Sequence, residues 1–276
     1  MQLNRDKKLI EQFGNEWKAY NQDALAEDEL LVLFNKYFDI FPFHLINKNS
    51  EGFDMGCGSG RWASFIAPKV KTLNCIDPSK EAIKVARFKL KNHNNCFFEN
   101  KDVMNSNLKN NSQDFGYSLG VLHHIPSPEL GLINCIKKLK KGAPFLLYLY
   151  YRFDNKPLWF KCIWWSSNLI RKIISRLPFK IKLLITKIIA IFIYYPLAKL
   201  SLVLEKLGFN TENIPISSYM RCSLYTMQTD ALDRFGTRLE HRFKKDEILI
   251  MMENAGLKNV KFSNKTPYWV AIGEKK

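Results

Sequence analysis

Residues 53–62 read Phe-Asp-Met-Gly-Cys-Gly-Ser-Gly-Arg-Trp. An apolar strand end meets glycines at alternate positions, Gly56, Gly58 and Gly60, and a helix-like run follows to Ala67. Glycines so placed let the backbone turn sharply and approach a ligand without Cβ interference. The helix behind them starts with free N–H groups. A glycine-rich loop is a weak signal on its own, so its meaning depends on the chain around it.

Outward from the loop the chain alternates strand and helix. Gly52–Met55 ends a first strand, Thr72–Ile76 is a second closed by Asp77-Pro78-Ser79, and Asn95–Phe98 is a third ending near Asp102. Asp114–Leu122 is a fourth and Ala143–Tyr150 a fifth, with helices expected over 62–67, 81–90 and 129–139. Short apolar strands alternating with helices predict an α/β, doubly wound, Rossmann-like sheet, mostly parallel and covered on both faces. Such sheets bind ligands at the carboxyl ends of their strands. That rule brings Asp54–Gly60, Asp77, Asp102, Leu119–His124 and Tyr150–Asn155 to one rim.

The loop lacks the Gly-x-Gly-x-x-Gly spacing of dinucleotide sites, because Arg61 stands where the last glycine is needed. No Lys-Ser or Lys-Thr closes it as a triphosphate loop would require. A ligand with a ribose and no phosphate fits what remains. Here the chain resembles the class I S-adenosylmethionine-dependent methyltransferases of the small-molecule branch, with sugar- and glycan-modifying members among the relatives. The resemblance is carried by Asp54-Met55-Gly56-Cys57-Gly58-Ser59-Gly60, Cys75-Ile76-Asp77-Pro78-Ser79, Asp102, and the run from Asp114 to Ile125.

The resemblance implies S-adenosyl-L-methionine as cofactor and a role for each position. Asp54 would help hold the methionine ammonium, and the backbone of Gly56, Cys57, Gly58 and Gly60 would pass close to the cofactor. Asp77, followed by Pro78, would accept from both ribose hydroxyls, since a carboxylate offers two oxygens. Asp102 would accept from the adenine amino group beside Val103, and Leu119 would end the strand next to it. Alone, each acid also reads as a loop carboxylate or helix cap.

His123 and His124 close the fourth strand, where side chains alternate, so at most one of the two is expected to face the ligand. A general base titrating near neutrality is one role for it, and a structural hydrogen bond is the other. No second ligand cluster accompanies them, so no metal is expected.

Residues 1–50 form a helical cap, with Leu31, Phe34, Phe38 and Phe41 at helical spacing and Trp17 and Tyr20 placed to share a face. Residues 51–155 are the cofactor-binding core. The segment 156–240 is an α-helical insertion before the last helix and strand pair, which occupy 241–276. Within 156–207 the chain is apolar and cationic, with Glu205 the one acid. It reads as a lid packed on the rim or as an interfacial helix pair on anionic lipid. Its longest charge-free run, Ile188–Ala198, is too short to span a bilayer and carries Pro196. Residues 217–243 show no clear periodicity and read as a loop delivering Tyr225, Asp230, Asp233, Arg234, Arg238, His241 and Arg242. Asn259–Ser263 and Tyr268–Glu274 close the sheet, which the resemblance makes seven-stranded with an antiparallel edge.

Composition bounds the rest. The six cysteines are scattered singly, with no Cys-x-x-Cys pair, which suits a reducing cytoplasm. Residues 1–20 lack the apolar core of a signal peptide. The net charge of +16 suits nucleic acid or anionic membrane, and also follows from a chain rich in Lys, Asn and Ile together. The expected activity is methyl transfer to a hydroxyl of a sugar in a glycan or glycolipid, in the cytoplasm or at the inner membrane face. The base would come from His124, His123, Asp230 or Tyr151. A hydrophobic ring such as a quinone precursor is the alternative acceptor. A non-catalytic nucleic-acid module is the alternative from another class, and no aromatic-basic motif supports it.

Overall fold

The computed structural model describes residues 4–276, which form two compact units. The first contains residues up to 22, 30–152 and 239–276; the second contains 23–29 and 153–238.

In the first unit, helix α1 (Lys7–Ala19) and most of α2 (Glu27–Tyr37) precede β1 (Glu51–Met55). The alternation continues through α3 (Ala63–Ile66), β2 (Thr72–Ile76), α4 (Lys80–Lys89), β3 (Cys96–Glu99), β4 (Phe115–Leu119), α5 (Pro128–Lys138) and β5 (Pro144–Tyr148). After the second unit the chain returns as α10 (Lys245–Asn254), β6 (Leu257–Phe262) and β7 (Val270–Lys275). The seven strands lie in the order β3-β2-β1-β4-β5-β7-β6. β1 to β5 are parallel, while β7 runs antiparallel to both β5 and β6. Strand order reverses between β1 and β4, which opens a crevice at their carboxyl ends.

β4 and β5 are buried at every position, as a sheet covered on both faces requires. On one face Phe53, Phe145 and Leu147 pack with Leu132 and Ile136 of α5 and with Ile248 and Met252 of α10. On the other, residues of the expected N-terminal cap supply an aromatic layer: Phe38 meets Tyr117 edge-on at 5.3 Å, Phe41 meets Phe115 at 6.1 Å, and Phe34 stacks on Phe65 at 4.5 Å. Phe34, Phe38 and Phe41 are buried, but Leu31 of the same pattern is exposed. Only the first of the three aromatics lies within α2, so the later two reach the core from the turn after it.

The fourth strand is shorter than expected. It stops at Leu119 because Gly120 takes a positive φ of 76°, and a 3-10 turn over Leu122–His124 follows. The histidine pair therefore sits on a turn, and strand alternation does not separate its side chains. The two rings lie 4.0 Å apart.

The second unit is helical: α6 (Leu158–Ile174), α7 (Phe179–Ile189), a π-turn over Ala190–Tyr194, α8 (Tyr195–Lys206) and α9 (Leu224–Gly236). Here two expectations are corrected. Residues 224–236 are a helix whose inward face is Met227, Ala231, Leu232 and Phe235. Their spacing is helical, but it is masked by the intervening Gln228, Thr229, Asp230, Asp233 and Arg234. Residues 179–206 also form one continuous helix of 28 residues, long and apolar enough to cross a membrane by length and composition. Pro196 stands in the first turn of α8, where the preceding π-turn relieves the carbonyl that proline would otherwise meet.

The end of α9 shows why its neighbours pack as they do. Lys182 Nζ donates to the Gly236 carbonyl at 3.0 Å. Arg171 Nη1 donates to Thr237 O at 2.7 Å. Two cations from two helices satisfy carbonyls at the negative end of a third.

Candidate active site

The loop after β1 is tied back by Gly56 N–H and Cys57 N–H, which both donate to Ile76 O, at 2.7 and 3.1 Å. Gly56 and Gly58 have φ of +82° and +53°, a region that costs any other L-residue strain. Space forbids side chains there as well. A Cβ on Gly56 would lie 2.4 Å from Val121, and one on Gly58 would lie 2.7 Å from Trp17.

Asp54 is set between Cys75 and Tyr117 by strand register. It is 1% exposed, and its Oδ2 has no hydrogen-bond partner among the described residues. Burial raises its pKa to about 8, against the opposing influence of Tyr117 and Arg61 and with the Asp77 charge adding to the rise. Tyr117 and Arg61 do not offset that burial, and Oδ2 is left as an acceptor suited to a cation or donor.

Asp77 uses both oxygens. Oδ2 accepts from Gly58 N–H at 3.0 Å and Oδ1 from Ser79 N–H at 2.8 Å. Burial lifts its pKa to about 6, and those two donors hold it from rising further. Asp77 therefore anchors the glycine loop to the end of β2, and each oxygen keeps a second lone pair. Pro78 is fixed through its carbonyl, which accepts from Asn100 Nδ2 at 2.9 Å.

Cys57 is buried. The Cys75 thiol beside it lowers its pKa, but burial and the carboxylates of Asp77 and Asp54 raise it to about 11, so it stays a thiol. Asp102 Oδ1 accepts from Met104 N–H at 3.0 Å and Asn105 Nδ2 at 2.8 Å, while Oδ2 lies 3.6 Å from Arg5 Nη1. The Val103 side chain belongs to the sheet core. Leu119 is buried at the end of β4, level with Tyr148 of β5.

The N-terminal segment crosses this rim. Besides Arg5 at Asp102 and Trp17 at Gly58, Phe13 meets the His124 ring at 5.0 Å, and a Cβ on Gly14 would come within 2.8 Å of Ser79 Oγ. Of these residues the sequence singles out Trp17 alone, as sharing a helix face with Tyr20.

Beyond β4 the two histidines differ in kind. His124 Nδ1 lies 2.8 Å from Leu239 O. A carbonyl only accepts, so Nδ1 carries the proton and Nε2 is the basic nitrogen. His123 is fully buried, and neither ring nitrogen has a partner among the described residues. Burial first, then His124, Arg242 and His241, push its pKa well below the usual value, so it is neutral. It stacks on Tyr150 at 3.9 Å. Arg242 lies 5.1 Å over the other partner of this stack, the Tyr150 ring, and pairs with Glu240 at 2.7 Å with both side chains largely buried. His241 N–H donates to His123 O at 2.9 Å.

Tyr150 and Glu240 were not singled out by sequence reasoning. The sequence places Tyr150 at a strand end on the rim without giving it a role, and the signal for Glu240 is its i, i+2 spacing from Arg242 on an extended segment. Tyr151, an expected base, instead packs its ring on Tyr268 and Trp269 at 5.7 and 6.4 Å. Asp230 lies on α9 in the second unit, as do Tyr225, Asp233 and Arg234, with Arg238 ending that unit. His241 and Arg242, from the same stretch, belong to the first unit.

The site suits S-adenosylmethionine on its own geometry: a buried carboxyl whose Oδ2 has no partner among the described residues, and a glycine cradle that a Cβ would fill. Comparison with known proteins agrees. Residues 53–147 match the family described as "Methyltransferase domain". No curated protein sequence matches the chain. Among solved structures, an S-adenosylmethionine-dependent methyltransferase from Thermotoga maritima superposes with a TM-score of 0.52 at 17% identity, over 98% of this chain and 99% of that one. A phosphoethanolamine N-methyltransferase from Haemonchus contortus, solved with phosphomonomethylethanolamine and S-adenosylhomocysteine, gives 0.50 at 13% identity over 94% of this chain and 43% of that one. These likenesses are of fold. With the family match and the cradle, they lead to one conclusion: residues 53–147 carry a methyltransferase domain, in a chain with the fold of class I S-adenosylmethionine-dependent methyltransferases, and S-adenosylmethionine is its cofactor.

Proposed function

We propose that the enzyme methylates a hydroxyl of a sugar borne on a glycan or glycolipid, at the inner face of a membrane, with His124 as general base. The observation that carries this reading is the His124 tautomer. Leu239 O holds the proton on Nδ1, which leaves Nε2 oriented and able to take a proton. When bound, S-adenosylmethionine supplies an activated methyl group, so the chain needs to align the acceptor and remove its proton. Asp54 and the backbone of Gly56, Cys57, Gly58 and Gly60 hold the methionine end in this reading. Asp77 and Pro78 hold the ribose, and Asp102, Val103 and Leu119 flank the adenine. Glu240, His241 and Arg242 beside Tyr150 place hydrogen-bonding groups around the histidines, which favours a polyhydroxylated acceptor over a hydrocarbon ring.

The test is His124→Ala against a panel of glycolipid, free sugar and quinone-precursor acceptors. Cofactor affinity is expected to stay within about twofold, and turnover to fall about 10²–10⁴-fold. Unchanged turnover removes His124 as the base. Turnover on the ring acceptor alone removes the sugar reading.

A further inference from the structure

Helices of the second unit are packed inside out. In a water-soluble helix the large aliphatic side chains face the core and the polar ones face solvent. Along residues 179–206 the buried stripe is instead Lys182, Thr186, Ala190, Tyr194, Ala198 and Ser201, which recur every three or four residues. Ala190, Tyr194 and Ala198 pack against Met227, Ala231 and Phe235 of α9. Outward stand Leu184, Ile188, Phe192, Leu200 and Val203, with Phe192 72% exposed. Helix α6 repeats the inversion. Its inward Arg171 reaches the end of α9 and Ser167 meets Arg234 at 3.2 Å, while Trp159, Ile163, Ile170 and Ile173 are half exposed or more.

Isolated exposed hydrophobics need no explanation, but contiguous faces on two helices do. Small residues between helices and large apolar ones outside form the pattern of helices that meet hydrocarbon.

The charge of the same segment selects the partner. Residues 156–207 hold ten Lys and Arg and one acid, Glu205. Lys172, Arg176, Lys180, Lys187 and Lys206 are exposed around the apolar faces. A second copy of this surface would bring cations against cations. An anionic lipid surface satisfies both the cations and the apolar side chains, and exposed Trp159 and Trp165 are suited to its headgroup layer. Crossing the bilayer is disfavoured although the helix is long enough. Its inner side is engaged with α9, which carries Asp230, Asp233 and Arg234, groups that are costly within hydrocarbon.

We infer that the outward faces of α6 and of the 179–206 helix form an interfacial docking surface for an anionic bilayer, lying in its plane with Trp159 and Trp165 at headgroup depth. This deepens the membrane-face part of the proposed function but stands apart from the identity of the acceptor, since it rests on the second unit alone.

The full chain is floated with vesicles of phosphatidylcholine alone and with added phosphatidylglycerol, and cofactor binding is measured on the same samples. Binding to the anionic vesicles is expected to exceed that to neutral ones by about tenfold or more, with release in carbonate. Lys172→Glu and Lys187→Glu are each expected to lose about fivefold or more, and Phe192→Asn with Ile173→Asn to abolish flotation without altering cofactor affinity. Equal failure to bind both vesicles overturns the inference, as does a concentration-dependent dimer without vesicle binding. Retention after carbonate extraction would show a spanning helix and overturn it too. Loss of cofactor binding in the intact protein would instead defeat the methyltransferase reading, leaving the flotation result to stand separately.

Discussion

Asp54→Asn separates what the buried carboxylate costs the fold from what it does for the ligand. In the ligand-free protein its pKa rises from 3.8 to about 8, chiefly through burial. A carboxyl whose folded pKa lies above its unfolded value favours folding when protonated. Its contribution is therefore best at low pH and declines as pH rises from about 4 to about 8. At pH 7 the difference amounts to roughly 1.36 × 3.2, or about 4 kcal/mol, as an upper figure for a site that can relax. The amide is neutral throughout, so Asp54→Asn is expected to stabilise the ligand-free protein by about 2–4 kcal/mol at pH 7, with the gain vanishing near pH 4. Urea denaturation at several pH values reads this directly. The same change should weaken S-adenosylmethionine about 10- to 100-fold, by loss of a charge-assisted contact. It should also abolish the proton release on binding that calorimetry in buffers of different ionisation enthalpy would detect for the natural protein. A variant no more stable at pH 7, or one that binds with unchanged affinity and unchanged proton release, would refute the claim that this carboxylate is buried in wait for a cation.

Two further outcomes follow from contacts already described. Asp77→Asn turns one of the two acceptors facing Gly58 N–H and Ser79 N–H into a donor. Cofactor affinity should fall at least tenfold and the protease sensitivity of the glycine loop should rise; calorimetry and limited digestion check both, and an intact loop with full affinity would contradict the anchoring role. Lys182→Met removes a cation from the Gly236 carbonyl and should destabilise the second unit by about 1–2 kcal/mol. Hydrogen exchange should show that loss at the end of α9 with no change in the glycine loop.

Most of the sheet could be read from the chain because its strands are short apolar runs set apart by glycine, proline and aspartate. Asp77-Pro78-Ser79 ends β2 and starts α4, with Ser79 Oγ accepting from Ala82 N–H. What escaped depends on tertiary packing. The histidine pair looked like strand residues, since nothing before Gly120 announces that its φ turns positive. Asp230 looked like a loop residue because the apolar face of α9 is narrow and its other faces are polar. Glu240, Arg242 and Tyr150 are separated by up to ninety-two positions in the chain, and only the return after the second unit brings them together.

The second unit shows why a hydrophobic pattern read alone misled in one place and was informative in another. Periodicity tells which residues share a face, but not which face turns inward. For 179–206 the usual rule would bury Leu184, Ile188 and Phe192 and expose Lys182. The structure does the reverse, because α9 ends with carbonyls that need donors, and Lys182 and Arg171 supply them. Once those two bonds fix the rotation of α6 and α7, the large apolar side chains have no place but outside. The cations that cap α9 thus also determine the apolar surface, so the Lys182→Met protein should lose vesicle binding together with the order of α9. If it floats as well as the natural protein while the end of α9 is frayed, capping and surface presentation are independent and the rotation of the helix is set by something other than this bond.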